Sequence, residues 1–422
     1  MRSLAEWLEQ QQRSHSRAID LSLSRVREVA RRLDLLTPDC RVITVGGTNG
    51  KGSTVACADA VLRAAGLHCG RFTSPHLGRY NERICVDGEE ASDASLVEAF
   101  ERIDAARADI TLTFFEYNAL AALEHFRRSR VDVAVLEVGL GGRFDATNII
   151  DADVAVVCSI GIDHVDWLGH TLDAIGREKA GIFRAGRPAV LGTADVPRSL
   201  WAAIEEVGAR AVVPDRDFFY RPALQPARAG DATWDFEYGA LSLRDLPPPA
   251  LAGIHQMANA ATALAAIVAA GGIELTHANV SEALRSVRLR GRFQRVPGEV
   301  EWILDVAHNV PAALGLVANL RALPRARTIA VCGILGDKDV PGITAALSAD
   351  IDAWVLVTLD GPRAVPTRDL AAHLPREAQI LAHAPDVAAG CRAARDAACP
   401  GDRILVFGSF LTVGPALEFL GL

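Results

Sequence analysis

The chain of 422 residues has almost no lysine: of its 44 basic residues, only Lys51, Lys179 and Lys338 are not arginine. Lysine is ordinarily one of the commonest residues, so arginine has taken over wherever either cation serves. The survivors mark positions where a guanidinium would fail, because the two side chains differ in shape, in hydration and in their ability to lose a proton. An excess of positive charge is also missing. The 52 acidic residues give a formal net charge of −8, which argues against a general electrostatic grip on nucleic acid. No apolar run has the length of a membrane span. The longest weakly polar stretch, Ala258 to Ile273, is Ala-rich and broken by Asn259 and Thr262, and reads as a buried helix. The N-terminal MRSLAEWLEQQQ lacks the apolar segment of a secretory signal. None of the eight cysteines forms a C-x-x-C pair; most sit in apolar runs and read as small buried hydrophobes in a reducing compartment. The expectation is a cytoplasmic protein with neither nucleic acid nor membrane as partner.

What is present is half hydrophobic and too long for one compact core, so two domains are expected. Apolar runs at Val42–Gly46, Val133–Val138, Val154–Ile160, Ile303–Val306, Thr328–Cys332, Ala353–Val357 and Arg403–Phe407 alternate with helical spacing, as at Thr54–Ala65 and Ala119–Arg128. That alternation predicts an α/β protein with a largely parallel sheet. Between about Val213 and Ala250, aromatics and the prolines at 247–249 predict a few antiparallel edge strands. A second βα series starts near Arg290, which places the domain boundary at about Val287, with domains 1–287 and 288–422.

The strongest local signal is VITVGGTNGKGST at 42–54. An apolar strand enters a Gly-rich turn, followed by Lys51, hydroxyls and a helix. Such a turn points backbone N–H groups at phosphate oxygens, and the lysine reaches the terminal phosphates. The spacing departs from the standard phosphate loop, with Val45 at the first glycine position and Gly52 where the hydroxyl belongs. Other strands also end in polar residues, at Glu137 and at Asp163–His164, and ligands of open parallel sheets bind at those carboxyl ends. Glu137 offers the hard oxygen that Mg²⁺ prefers, and His164 joins it as a candidate ligand. Lys179, in GREKAGIF, has an amine that can react with CO₂ to give a carbamate, as arginine cannot. In the second series GRF (291–293) follows the boundary, DVAHN (305–309), GILGDKD (333–339) and FGSFLTVG (407–414) end strands, and Lys338 has no assigned chemistry.

Together GTNGKGS (47–53), TSPHL (73–77), EVGLGGRFDATN (137–148), GIDHVDWLG (161–169), GREKAGIF (176–183) and DVAHN (305–309) resemble the folylpolyglutamate synthase/dihydrofolate synthase family of Mur-ligase-like amide ligases. The resemblance runs over nearly the whole chain. It implies a P-loop NTPase-like first domain and a smaller Rossmann-like second domain. It further implies ATP-dependent ligation of L-glutamate to 7,8-dihydropteroate and to reduced folates through an acyl phosphate, by a monomeric enzyme. Carried over by residue, Gly50, Lys51, Gly52 and Ser53 would hold the phosphates, and Asn259, Arg292 and Asp305 would complete the ATP site. Ser53, Ser74 and Glu137 would serve a first Mg²⁺. Glu137, His164 and Lys179, as N6-carboxylysine, would serve a second. Lys51, Lys179 and His164 form the catalytic set, and His308 and Ser409 match glutamate- or adenine-associated positions. The pterin positions are Ile19, Asp20, Leu21, Thr113, Phe114, Phe115, Glu116, Phe144, Asp145 and Ala146, with Phe115 stacking on the ring. TFFE (113–116) fits the two-activity type better than the purely polyglutamylating one, and HQ at 255–256 replaces the usual HN.

The alternatives are a folylpolyglutamate synthase with that activity alone, a Mur-type peptidoglycan-precursor ligase and a regulatory ATPase. A Mur enzyme usually has threonine directly after the loop lysine, where this chain has Gly52. A regulatory ATPase has no need of Lys179 or of the long segment Thr73–Gly88.

Overall fold

The computed structural model describes residues 2–222 and 232–422. The β-branched, uncharged core of β1 (Arg41–Gly46) is buried on both faces, as expected of a central parallel strand. Around it lie β2 (Cys69–Phe72), β3 (Ile84–Val86), β4 (Glu89–Glu90), β5 (Val133–Glu137), β6 (Val154–Val157), β7 (Pro188–Leu191) and β8 (Arg210–Val212). The eight form one sheet in the order β4-β3-β2-β5-β1-β6-β7-β8. Only its β3 and β4 edge is antiparallel. The expected strand at 154–160 stops at Val157, because the following residues leave the ladder: Thr48 N–H donates to the Ser159 carbonyl at 2.8 Å, wrapping this segment round the Gly-rich turn.

The aromatic stretch forms β9 (Phe218–Pro222), β10 (Trp234–Tyr238) and β11 (Leu241–Leu246), an antiparallel sheet of its own. It is therefore not an edge of the main sheet, as the sequence led us to expect; residues 223–231 of that stretch lie outside the described part. Helix Lys51–Ala64 is buried almost throughout, packed on β2 and β5 and under helices Gln256–Ala270 and His277–Ser286. The Ala-rich helix Gln256–Ala270 carries no charge and is apolar nearly all round, which fits its buried place. Among the described residues no helix is long and apolar enough to cross a membrane. Six of the eight cysteines are buried; Cys40 is half-buried, and Cys399 is exposed, contrary to the general reading.

After helix His277–Ser286 come β12 (Gln294–Val296), β13 (Glu301–Asp305), β14 (Thr328–Cys332), β15 (Ala353–Val357), β16 (Ile380–Ala384) and β17 (Arg403–Phe407). They make a third sheet in the order β12-β13-β17-β14-β15-β16, parallel except at β12. The carboxyl ends of this sheet and of the main sheet face a common cavity of about 710 Å³.

One loop of the first sheet is seated on the second half of the chain. Glu82 accepts from the N–H groups of Leu77, Gly78 and Arg79 at 2.9–3.0 Å, and Arg290 Nη1 donates to it at 3.2 Å. A Cβ on Gly291 would lie 2.8 Å from Leu77 Cδ1, and one on Gly414 would run into the Leu77 carbonyl oxygen. Backbone cannot yield as a side chain does. Gly414→Ala is therefore expected to destabilise the protein by about 1–3 kcal/mol, read from its urea midpoint; an unchanged midpoint would mean that this loop is not seated there.

Candidate active site

The end of β1 and the helix after it build the floor of the cavity. Gly50 is the N-terminal cap of helix Lys51–Ala64 at φ +86°, and a Cβ there would stand 2.6 Å from Asn259 Oδ1. Glycine is thus required for both conformation and space. The departure HQ at 255–256 has a local role, because Asn259 Nδ2 donates to Gln256 Oε1 at 3.1 Å. Lys51 Nζ donates to the carbonyls of Gly47 (3.0 Å) and Thr48 (3.2 Å). Lys179, in the last turn of helix Leu172–Ala180, donates to the same Gly47 carbonyl at 3.0 Å.

Glu137 ends β5 as a buried carboxylate that accepts from the Ser74 N–H at 3.1 Å. Burial raises its pKa, against the pull of Lys51. Ser53, Ser74, His164 and Lys179 line the same cavity. His164 adopts φ +51°, an uncommon conformation for a side chain of this kind. Burial pushes its imidazole down to about 4, with Lys338 and Lys51 adding to the effect. It is neutral at pH 7 and able to act as a ligand. Among the described residues no three His, Cys, Asp or Glu side chains converge as a ready-made metal site. The donors named for a cation are the Ser53 and Ser74 hydroxyls, the Glu137 carboxylate and the His164 imidazole; Asp163, Asp305 and His308 also line the cavity.

The third sheet and the segments around it contribute Arg292, Asp305 and His308. Arg292 stacks over Phe410 with its guanidinium carbon 5.4 Å from the ring centre, and its Nη2 lies near Gly52, as does Glu137 Oε2. Asp305 accepts from Phe293 N–H and Ala307 N–H, each at 2.8 Å; burial raises its pKa, opposed by Arg292. His308 Nδ1 pairs with the Val306 carbonyl at 2.7 Å, turning Nε2 toward Asp163. Ser409 lies outside the cavity lining; its hydroxyl caps helix Phe410–Phe419 by accepting from Leu411 N–H at 3.1 Å.

The ten pterin positions do not line this cavity either. Phe115 packs against Gly139, and its ring centre is 5.9 Å from that of Phe72. Phe144 is exposed beneath the Arg143 guanidinium, Ala146 is buried, and Ile19 and Leu21 are half-buried. Four polar members make local bonds. Thr113 and Glu116 form the capping box of helix Phe114–Ser129. Asp145 accepts from Leu140 N–H and from Thr147, and Asp20 pairs with His15 and Arg25.

The structure adds residues that sequence reasoning did not assign. Asp163 accepts from Lys338 Nζ at 2.6 Å and from Asn309 Nδ2 at 2.9 Å, and Asn309 also pairs with Asn49 of the Gly-rich turn at 3.0 Å. Lys338 Nζ stands 3.4 Å from His164 Nε2. Burial opposes ionisation of Asp163, but His308, His164 and Lys338 hold it well below the usual carboxylate range. The one signal for Lys338 in the sequence was the scarcity of lysine.

A phosphate-type turn facing a second parallel sheet across a shared cavity defines a Mur-type ligase architecture. The profile of the Mur ligase middle domain matches residues 45–267, and that of the Mur ligase glutamate ligase domain matches residues 291–410. Within that class, the chain belongs to the dihydrofolate synthase/folylpolyglutamate synthase family. It is 43% identical over 418 residues to the Escherichia coli (strain K12) dihydrofolate synthase/folylpolyglutamate synthase, covering 99% of this chain and 95% of that one. It is also similar to the structure of E. coli FolC in complex with DHPP and ADP, with 42% identity, a TM-score of 0.93, and coverage of 100% and 98%. A bifunctional folylpolyglutamate synthase/dihydrofolate synthase with Mn, AMPPNP and L-glutamate bound matches with 42% identity, a TM-score of 0.91, and coverage of 100% and 99%.

Burial, and after it the charge of Lys51, push the Lys179 amine from 10.5 down to about 7. On unfolding it regains its ordinary value, so between those limits the unfolded chain binds a proton that the folded chain does not. Stability then rises with pH, by up to about 1.4 kcal/mol per pH unit. In buffer free of bicarbonate and divalent metal, the stability of the wild type relative to Lys179→Met should climb from pH 7 to pH 10. Parallel pH profiles of the two proteins would refute a neutral buried amine.

Proposed function

We propose that the chain ligates L-glutamate to 7,8-dihydropteroate, giving dihydrofolate, and to reduced folates, giving folylpolyglutamates, with ATP as the activating substrate. The observation that carries this reading is the meeting of Lys51, Glu137, His164 and Lys179 with Arg292, Asp305 and His308 around one cavity between two parallel sheets. A carboxylate is a poor acyl donor. The substrate carboxylate oxygen attacks the γ-phosphorus of ATP, the bond to the β,γ-bridging oxygen breaks, and ADP leaves an acyl phosphate. The glutamate amine then adds to the acyl carbon, loses a proton, and inorganic phosphate departs as the amide forms.

The residues take their roles from their positions. Gly50 to Ser53 present backbone N–H groups and a hydroxyl at a helix N-terminus to the phosphates. Lys51 and Arg292 offset the charge that develops on the transferring phosphoryl group. Asn259 and Asp305 complete the nucleotide site, and Lys338, paired with Asp163, holds the His164 imidazole in place. His308 serves the incoming amino acid or the adenine; Ser409, outside the cavity, supports this wall by capping helix Phe410–Phe419. Residues 1–287 form the ATP- and pterin-binding domain and residues 288–422 the glutamate-ligase domain.

The donor set suits Mg²⁺: Glu137 is a buried carboxylate whose burial cost a cation relieves, and the Ser53 and Ser74 hydroxyls add hard oxygens. Mg²⁺, when bound, neutralises phosphate charge and polarises the phosphoryl group. A second site through Glu137 and His164 lacks one anion. Lys179 meets that need as N6-carboxylysine: the neutral amine adds to CO₂, a C–N bond forms, and one proton is released. Its place beside Lys51 on a single carbonyl oxygen disfavours an ammonium there.

ADP release should require dihydropteroate or a reduced folate together with glutamate; equal turnover with a UDP-muramyl substrate would overturn the assignment. Lys51→Arg is expected to lower kcat by ~10²-fold or more. Lys179→Arg should remove activity without unfolding the protein. Mass spectrometry at neutral pH with bicarbonate should find the CO₂ increment on the wild type and not on this variant. An active Lys179→Arg enzyme would exclude the carbamate.

A further inference from the structure

The loop that carries Ile19, Asp20 and Leu21 meets a core only at its end, where Leu23 packs against the first one. Residues 14–25 include no buried residue, and 14–23 form no helix or strand. Ile19 and Leu21 are half-buried apolar side chains that pack into none of the hydrophobic cores, whereas Phe114 and Phe115 pack against one. What fixes the stretch around Asp20 is a chain of polar contacts. Arg25 Nη1 donates to Asp20 Oδ2 at 3.0 Å, and Arg25 Nη2 to Glu116 Oε1 at 3.2 Å. The other oxygen of Glu116 accepts from Thr113 N–H at 2.7 Å at the start of the helix that bears Phe114 and Phe115. His15 spans Asp20 (3.2 Å) and Thr111 (2.8 Å). Arg25 is the one side chain here whose charge is shared directly by a carboxylate of the loop and a carboxylate of the helix. It lies outside the cavity that holds the phosphate turn.

We propose that Arg25 is a positioning residue for the pterin-bearing substrate, clamping the Ile19–Leu21 loop against the Phe114–Phe115 wall so that the two half-buried apolar side chains face the bound ring. The inference rests on the assignment of a pterin substrate made above. Arg25 touches no reacting atom. Its loss frees the loop without disturbing Lys51, Glu137 or Arg292, so it should weaken one substrate and leave the others alone. Lysine at this position reaches one of the two carboxylates and not both, because it lacks the planar fork of the guanidinium.

Steady-state kinetics with each substrate varied in turn tests this. Arg25→Met should raise KM for dihydropteroate by about 10- to 100-fold, the loss of a hydrogen-bonded charge pair, while KM for ATP and for glutamate and kcat at saturation stay at wild-type values. Arg25→Lys should fall between Arg25→Met and the wild type. An unchanged KM for dihydropteroate, or a rise in all three KM values together, would overturn the proposal. If Arg25→Met does not fold, Arg25→Lys and Thr111→Val, which removes the outer contact of His15, should give the same selective rise at smaller size. A wild-type enzyme that consumes no ATP with dihydropteroate and glutamate rejects the substrate assignment itself. An active wild type whose variants keep its KM rejects the clamp alone.

Discussion

Two lysines donate to one carbonyl oxygen, that of Gly47, each at 3.0 Å. This shared acceptor fixes much of the rest. Gly47 sits at φ +141°, and a Cβ on it would lie 3.1 Å from the Cys158 nitrogen, so the end of β1 can press against the segment after β6 only as glycine. That approach carries the Gly-rich turn toward Ser159, whose hydroxyl accepts from Asn49 N–H at 3.0 Å. Lys179 is thereby brought from a different helix to the same oxygen as Lys51. Two ammonium groups at one neutral acceptor repel, and the more deeply buried one gives way.

The titratable groups around the cavity are displaced in opposite directions by the same cause. Burial raises Glu137 and Asp305 and lowers Lys179 and His164. Each group is pushed toward neutrality when it stands alone. A triphosphate with its divalent cation brings charges of both signs, and these restore what burial disfavours. The site is thus matched to a charged ligand held away from water, where fixed dipoles and charges act more strongly than at a surface. Asp163 is the exception: with Lys338, Asn309 and His308 about it, it stays ionised.

Strands such as Thr328–Cys332 and Arg403–Phe407 were legible because a parallel strand covered on both faces is a continuous apolar run. Cys69–Phe72 was not, since Gly70 and Arg71 interrupt it: a Cβ at Gly70 would crowd the Phe126 ring, and Arg71 turns toward Cys85 and Asp59. The Gly-rich turn was legible because all its parts are local. TFFE is also a local pattern, and the structure uses it as a helix cap, which periodicity and capping rules account for without a ligand. The bridge from Asp163 to Asn309 and Lys338 was not legible. Its members are 146 and 175 residues apart, and no local rule connects them.

Lys338 explains why scarcity carried information that spacing did not. Its ammonium is buried, 2.6 Å from Asp163 Oδ1 and 3.4 Å from His164 Nε2. An ammonium is a compact charge that fits between a carboxylate and an imidazole on a thin stem, whereas a guanidinium is a wide plane that would have to displace one of them. Lys51 folds back on two adjacent carbonyls within its own turn, another geometry for a small rotating donor and not for a fork. Lys179 is buried beside Lys51, a place that an amine able to lose its proton tolerates and a guanidinium does not. At each of the three positions the reason for lysine is a property arginine lacks: compactness at two and deprotonation at the third. At solvated positions, where Arg31 pairs with Glu28 and Arg321 with Asp350, neither property is needed, and a drift toward arginine carries no penalty.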